Sequence, residues 1–298
     1  MATTTSLTTT YAGKYAGEVI KPAFLANESM QYLTLKENID YKQVVRRLVD
    51  DVSFAAGTCD FTPTGTVALT ERVLTLEKFQ VQRELCKQDF LTDWTANDAQ
   101  NGRLASEISQ AMIDNMLGQI AEKNESLIWT GVNANVGEYA GFITLFLADA
   151  GVIDVTGAAA ITTANVFSKL QDLVDQAPDR VKRATEKPLI YMGQDVWEKF
   201  IFANAAAGNG WYTYAGGAVP QTFMGLYAIA VCPGMPANTM VLAQKSNLWF
   251  GTNLLSDWNQ VALLDMADKD LSENVRFSAK FFAGLQYGFS DEITLYTV

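Results

Sequence analysis

The amino-acid sequence predicts an α+β fold, in which helices and strands are mixed without the regular βαβ alternation of a doubly wound sheet. Three observations lead to this prediction: a segment rich in β-branched residues precedes one long helical pattern, shorter helical patterns flank single strands, and the C-terminal part is mostly strand. The 298 residues are 49% apolar and 18% charged, which is the balance of a globular protein. A chain of this length can bury a hydrophobic core without disulfides or structural metals.

The N-terminal third begins with residues 1 to about 35, which are rich in Thr, Ala and Gly and predict an extended arm, with a loose tail as the alternative. Residues 38–51 predict a short amphipathic helix, with Val44, Val45, Leu48 and Val49 along one side.

A long hairpin is the next predicted element. Residues 67–90 read as half-buried strands, with Phe79 and Val81 alternating with glutamines. The turn-rich residues 57–65 supply the bend of this two-stranded projection.

One long helix follows, with Asn97 or Asp98 as its N-cap and an end near Gly131. A span of about 30 residues would be on the order of 45 Å long. Its apolar stripe is Leu104, Ile108, Met112, Met116 and Ile120, and the two methionines are interpreted as core.

The second half of the chain alternates short elements. A helix carrying Val166, Leu170, Leu173 and Val174 is ended by Pro178, and residues 188–193 read as a buried strand. Asp195 is predicted to cap the next helix, and a glycine-rich loop follows at 208–217. The remainder reads mostly as strand, with a turn at 245–247.

Composition excludes many catalytic mechanisms, because the chain has no histidine and therefore lacks the commonest general base and metal ligand. We assign no catalytic residue, no cofactor and no metal. The three cysteines, Cys59, Cys86 and Cys232, are widely spaced and predict reduced thiols. The acidic residues of 265–273 lack the spacing of a calcium loop and are interpreted as a solvated turn.

The net charge and the first residues of the chain indicate whether the protein binds DNA, is secreted or enters a membrane. A net charge of -11 disfavours tight binding to DNA. The polar first residues lack the apolar core of a secretory signal, and no run of apolar residues is long enough for a membrane span. We expect synthesis in a cytoplasm and no membrane partner.

The order of elements, together with residues 127–133 (LIWTGVN), 188–200 (PLIYMGQDVWEKF) and 240–257 (MVLAQKSNLWFGTNLLSD), resembles the major capsid proteins of tailed double-stranded DNA phages, which share the HK97-like fold. The resemblance implies an N-terminal arm at 1–50, an E-loop hairpin with adjoining strands at 51–95 and a long spine helix at 96–130. It implies a P-domain at 131–160 and 262–298 and an A-domain at 161–261.

The resemblance also implies a function: a non-enzymatic subunit that assembles through hexamers and pentamers into an icosahedral shell around double-stranded DNA, without sequence-specific binding. The implied partners are itself and separate scaffolding, portal and decoration or head-fibre proteins, in a virion assembled in the host cytoplasm. Some members crosslink an E-loop lysine to an asparagine of a neighbour. Lys78 or Lys87 and Asn274 are of the right type, but we do not expect a crosslink.

Two groups of residues are candidate subunit contacts. Glu71, Arg72, Lys78 and Arg83 lie in the projection, where a solvated mixed-charge face is the alternative. Trp211, Tyr212 and Tyr214 lie in the glycine-rich loop, where a sugar-stacking surface is the alternative. The rival functions are an encapsulin-type shell, a monomeric binding module that uses the aromatic loop, and a carboxylate-dependent hydrolase.

Overall fold

The structure is a computed structural model that describes residues 28–39, 41–52, 54, 56–57, 65–86, 106–155, 158–207, 222–252, 261–266, 269, 272 and 274–298. In chain order its strands are β1 (Thr34–Lys36), β2 (Lys42–Val52), β3 (Gly65–Thr75), β4 (Glu77–Cys86), β5 (Ile153–Asp154), β6 (Leu189–Met192), β7 (Thr222–Phe223), β8 (Tyr227–Val231), β9 (Met240–Ala243), β10 (Leu248–Gly251), β11 (Val261–Asp265), β12 (Asn274–Tyr287) and β13 (Thr294–Tyr296). Its helices are α1 (Ser106–Thr130), α2 (Phe142–Ala148), α3 (Val166–Gln176), α4 (Asp179–Arg183) and α5 (Gln194–Ala206), with 3₁₀ turns at Ser29–Tyr32, Lys245–Asn247 and Ser290–Glu292.

Three sheets organise these strands. One has the order β1-β10-β12-β11, with β4 also paired to β12; the second has the order β5-β13-β9-β6-β8-β7; and the third is the hairpin of β2 and β3. Helices and strands are mixed without regular βαβ repeats, so the predicted α+β class is confirmed.

The hairpin corrects one prediction and supports another. Residues 42–52 form a strand and not a helix, and they pair with β3 over its whole length. The valines of this segment suit a strand as well as a helical stripe, and the pairing with β3 decides between them. The turn-rich residues 57–65 do lie between two paired strands, β2 and β3, in the chain order. The second strand expected within 67–90 is β4, which pairs with β12 of the larger mixed sheet and not with β3, so the prediction that it belongs to the projection is wrong.

The long helix α1 has 25 residues, a length of about 37 Å. It ends at Thr130, next to the predicted stop at Gly131, where a Cβ atom would lie 2.2 Å from the carbonyl oxygen of Tyr139. The predicted caps Asn97 and Asp98 lie outside the described residues. Met116 and Ile120 are half-buried and line a groove, so the interpretation of Met116 as core is wrong.

The C-terminal half of α1 packs in the larger of two cores. Leu127, Ile128 and Trp129 are buried there together with Phe142 of α2 and Phe250 of β10. This core lies where α1, α2 and the two large sheets meet, so it ties the long helix to the rest of the chain.

The second core lies between α3, α5 and the six-stranded sheet. All four residues predicted for α3, from Val166 to Val174, are buried in it. The buried strand β6 is also confirmed. Asp195 is not the cap of α5, because Gly193 holds that position and Asp195 lies in the first turn, where its carboxylate pairs with Lys199 at 2.6 Å.

The predicted turn at Lys245–Asn247 is confirmed, but it does not close a hairpin. β9 before it belongs to the six-stranded sheet, and β10 after it pairs with β12. The turn therefore carries the chain from one sheet to the other.

Candidate intersubunit surfaces

The hairpin formed by β2 and β3 exposes both of its faces. Every residue from Gly65 to Glu71 is exposed, although successive side chains of a strand point to opposite sides. Val67 is 66% exposed and Leu69 is 63% exposed. Because an isolated two-stranded hairpin is marginal in water, apolar side chains in such a position call for burial against another surface.

The strand register places apolar and charged pairs along the hairpin. Val44 lies opposite Val73, and Arg46 lies opposite Glu71. The side chains of residues 67, 69, 71 and 73 point to the same face of the hairpin, because side chains alternate along a strand. The predicted contact residue Glu71 therefore shares a face with the exposed Val67, Leu69 and Val73.

Arg72 holds the base of the hairpin to the body of the protein. Its Nη2 donates to Oδ2 of Asp149 at 2.6 Å, and its guanidinium carbon lies 4.3 Å from the ring centre of Tyr287. The hydroxyl of Tyr287 donates to the same Oδ2 at 2.6 Å. Hydrogen bonds from Tyr287 and Arg72 hold the pKa of Asp149 well below its usual range, while burial is the main cause that raises the pKa of Tyr287 to about 12.

Lys78 and Arg83 are both exposed on β4 and both line a groove of about 560 Å³ between this strand and α1. In the regular alternation of the strand, Arg83 shares a face with Phe79 and Val81, whereas Lys78 lies on the other face. The floor of the groove is apolar and comprises Phe79, Val81, Met116, Ile120, Leu127 and Phe281. Lys123 of α1 lies on the opposite side. No carboxylate lies among the described residues that line the groove.

Two details of the groove concern Lys123 and Asn124. The Lys123 ammonium donates to Glu138 at 2.9 Å, and this hydrogen bond is the main reason that the pKa of Glu138 is lowered to about 2. Asn124 is 2% exposed; its Oδ1 accepts from the Tyr139 hydroxyl at 2.7 Å, whereas its Nδ2 has no partner among the described residues.

A buried carboxylate on α1 anchors the start of the described chain. Both oxygens of Glu125 accept hydrogen bonds from Ser29, one from the hydroxyl and the other from the backbone N–H at 3.2 Å. The Gly234 N–H donates to Glu125 at 3.3 Å, and Nε1 of Trp129 donates to the Ser29 hydroxyl at 2.8 Å. Burial raises the pKa of Glu125, and the hydrogen bonds from Ser29 oppose that shift. No local signal in the sequence indicates this anchor, because Glu125 and Ser29 are 96 residues apart.

The structure describes only some of the remaining predicted contact and crosslink residues. Trp211, Tyr212, Tyr214 and Lys87 lie outside the described residues. Asn274 donates to Glu84 at 3.2 Å and pairs in register with Cys86, whereas Lys78 pairs with Phe282 at the other end of β4. Whether any of these residues contacts a neighbouring subunit stays a prediction.

The described part of the chain contains neither a cluster of metal-binding side chains nor a helix suited to span a membrane. Within the described ranges, no three His, Cys, Asp or Glu side chains come together as a metal site would require. None of the described helices combines the length and the apolar character of a membrane span.

No protein-family model matches the sequence, and no curated protein is significantly similar to it. The fold, in contrast, is shared with solved phage and particle capsids. The capsid of the native GTA particle matches with a TM-score of 0.63 at 14% identity, over 94% of this chain and 92% of that chain. Gordonia phage Cozz matches with a TM-score of 0.62 at 13% identity, over 94% and 89%.

The capsid of Myoviridae phage XM1 matches with a TM-score of 0.62 at 10% identity, over 94% of each chain. These matches cover almost the whole chain and confirm the predicted resemblance in fold. The protein has the α+β fold of phage capsid proteins of the HK97 type.

Proposed function

We propose that this protein is a major capsid protein that assembles through hexamers and pentamers into an icosahedral shell around double-stranded DNA. The observation that carries the proposal is the match of almost the whole chain to phage capsid structures. A fold that recurs in shells, in a chain without a histidine, favours a structural role over catalysis.

The hairpin supports assembly on physical grounds. Covering its exposed apolar side chains with another protein surface removes them from water and lowers the free energy of the assembled state. Contacts that are weak singly add up in a closed lattice, where each subunit is held by several neighbours. We assign Glu71 and Arg72 to this contact region, with Arg72 acting through the position of the hairpin, and we assign Lys78 and Arg83 to a neighbouring contact surface on β4.

The remaining parts of the proposal follow from the capsid assignment. Trp211, Tyr212 and Tyr214 are assigned to contacts around the centre of a capsomer. The net charge of -11 repels packaged DNA and keeps it free to leave. Separate scaffolding, portal and decoration or head-fibre proteins complete a virion that is assembled in the host cytoplasm.

Light scattering of the purified protein, followed by negative-stain imaging, tests the proposal. We expect rings, capsomers or closed shells, and we expect the Val67→Asp/Leu69→Asp double variant to remain monomeric at concentrations where the wild type assembles. Phe202→Asp is the matched control, because Phe202 is equally exposed, at 63%, but lies on α5 away from the hairpin.

A wild-type protein that stays monomeric at every salt and crowding condition, including with a co-expressed scaffolding protein, would contradict the proposal. Shells that contain protein cargo and no nucleic acid would favour the encapsulin-type alternative instead.

A further inference from the structure

Strand β4 is paired along one side only. Its ten residues lie opposite β12 over their whole length, and no other described strand pairs with them. In an antiparallel ladder, alternate residues turn their backbone N–H and C=O groups away from the partner strand. Half of the residues of β4 therefore point their backbone groups along an edge that no described strand covers, and such an edge is a template for a further strand.

The groove between β4 and α1 opens at this edge. Four consecutive residues of β4, from Lys78 to Val81, line the groove, although successive side chains of a strand point to opposite faces. Side chains of both faces can line one groove where it wraps around the edge of the strand. A segment added to this edge would therefore place every second side chain between β4 and α1.

The part of the groove that such side chains would enter is apolar. Phe79 is 7% exposed, and its ring stacks on that of Phe281 with 5.4 Å between the ring centres. Met116 and Ile120 of α1 line the opposite wall. A volume of about 560 Å³ has room for several side chains of moderate size. Apolar residues at alternate positions of an added strand would fit this space.

Cations lie at both ends of the groove-lining part of β4. Lys78 and Arg83 are exposed, and no carboxylate lies among the described residues that line the groove. The adjacent Glu84 is already paired with Arg276 at 2.9 Å. Residues directly opposite each other on paired strands have Cβ atoms about 4.5–5.5 Å apart. A carboxylate opposite each cation would therefore lie within reach of an ion pair.

The groove also contains an unsatisfied polar group. Asn124 is 2% exposed, and its Nδ2 has no hydrogen-bond partner among the described residues, whereas its Oδ1 accepts from the Tyr139 hydroxyl at 2.7 Å. Buried donors are normally paired. An oxygen atom of a bound segment would satisfy this amide.

We propose that the edge of β4 binds an extended segment of a separate protein, which joins the sheet as an added antiparallel strand. The segment has carboxylates opposite Lys78 and Arg83, and apolar side chains opposite the two residues between them that face α1. The antiparallel direction is chosen because antiparallel pairing is slightly more stable per residue. The contact needs no assembly, so it goes beyond the proposed shell function and does not depend on it.

The charge of the site favours a separate protein over the N-terminal residues of this chain. Residues 1–27 contain one carboxylate, Glu18, and two lysines, Lys14 and Lys21. A segment with that charge does not complement a groove lined by cations.

A fluorescein-labelled hexapeptide with blocked ends tests the site on the unassembled protein. Its order, Glu-Thr-Val-Thr-Val-Glu, places the first glutamate opposite Arg83 and the last opposite Lys78. Fluorescence anisotropy should show saturable binding, about tenfold tighter than that of the same peptide with lysines in place of the glutamates. Arg83→Glu should weaken binding of the acidic peptide about tenfold and strengthen that of the lysine peptide.

Lys187→Glu, an exposed change between α4 and β6, is the control and should leave both affinities unchanged. A wild-type protein that binds neither peptide, or binds both equally, would overturn the proposal.

Methylation of the peptide amides separates strand addition from simple charge attraction. Methylating every second amide removes either the N–H groups that face β4 or those that point outward. One of the two sets should therefore weaken binding by at least about tenfold, and the other should change it by less than about twofold. Equal effects of the two sets would contradict the added strand.

Hydrogen exchange locates the bound strand. Alternate amides of β4 should exchange rapidly in the free, unassembled protein, and the acidic peptide should protect them. Protection of all ten amides in the free protein would show that another part of this chain covers the edge. Protection by assembly alone, without an effect of the peptide, would assign the edge to a second copy. Either result would overturn the proposal and leave the shell function standing.

Discussion

The ion pair at the base of the hairpin can be tested by Asp149→Asn. This change keeps the size of the side chain and the acceptor for the Gly151 N–H at 2.9 Å, but it removes the charge that binds Arg72 and Tyr287. Hydrogen bonds to a charged group contribute about 1.5–3 kcal/mol. The Arg72 and Asp149 side chains are 23% and 27% exposed, so solvent weakens the pair only in part.

We therefore expect Asp149→Asn to lower the free energy of unfolding by about 2 kcal/mol. In a chain of this size such a loss lowers Tm by about 4 °C. Chemical denaturation of the unassembled protein measures the difference. Asp172→Asn is the matched control, because its pair with Lys169 is 43% exposed on the aspartate side and lies on the surface of α3; there the loss should stay below about 0.5 kcal/mol.

The pH dependence gives the same prediction an independent signature. The pKa of Asp149 is lowered in the folded protein, so its contribution is present above the unfolded pKa of about 3.9 and is lost as the pH falls through the folded value. The difference in stability between wild type and Asp149→Asn should therefore be constant near neutral pH and shrink below about pH 4. Equal stabilities at pH 7, or a difference that grows on acidification, would refute the role of the ion pair.

Further predictions concern the anchor on Glu125. Ser29→Ala should lower the free energy of unfolding by about 1–3 kcal/mol, because it removes a hydroxyl donor from the buried Glu125 carboxylate and leaves Trp129 Nε1 unpaired; unchanged stability and unchanged hydrogen exchange near residue 29 would contradict this. Gly234→Ala should be destabilising by about 1–3 kcal/mol, since its Cβ would lie 2.1 Å from the carbonyl oxygen of Glu125. Gly57→Ala, where a Cβ meets nothing within 4 Å, serves as its control. Because burial raises the pKa of Glu125, this group should favour the folded state below its unfolded pKa of about 4.3 and lose that contribution as the pH rises through the folded value; a Glu125→Gln variant whose stability difference from wild type does not change with pH would contradict this.

Local patterns predicted several elements well. α3 was predicted from its apolar spacing and its stop at Pro178, and the end of α1 was predicted from Gly131. In both cases the signal lies in a few neighbouring residues, and the packing agrees with it.

The failed prediction for residues 42–52 has a clear reason. Their valines and leucine satisfy a helical stripe over one or two turns and also suit a strand, so periodicity in a short window does not separate the two. The partner strand begins 13 residues after the end of β2, and pairing with it selects the strand. The interpretation of Met116 as core is wrong for a related reason, since Met116 and Ile120 line a groove and are not part of a core.

The candidate contact surfaces were foreseen only in outline. The charges of the projection are visible in the sequence, but their partners are not. Arg72 binds Asp149, which lies 77 residues further along the chain, and Ser29 binds Glu125, which lies 96 residues further along. Glu125 looks like an ordinary surface residue of a helix, because nothing local indicates that the N-terminal segment covers it.

The sequence by itself determined the α+β class, the long helix and its end, and the lack of any histidine, because each depends on composition or on residues close together in the chain. Only the tertiary structure decided that 42–52 is a strand, that Arg72 and Glu125 are anchors, and that an apolar groove with cationic sides lies between β4 and α1. These features join residues far apart in sequence, and their free energy comes from burial and pairing that exist only once the chain is folded.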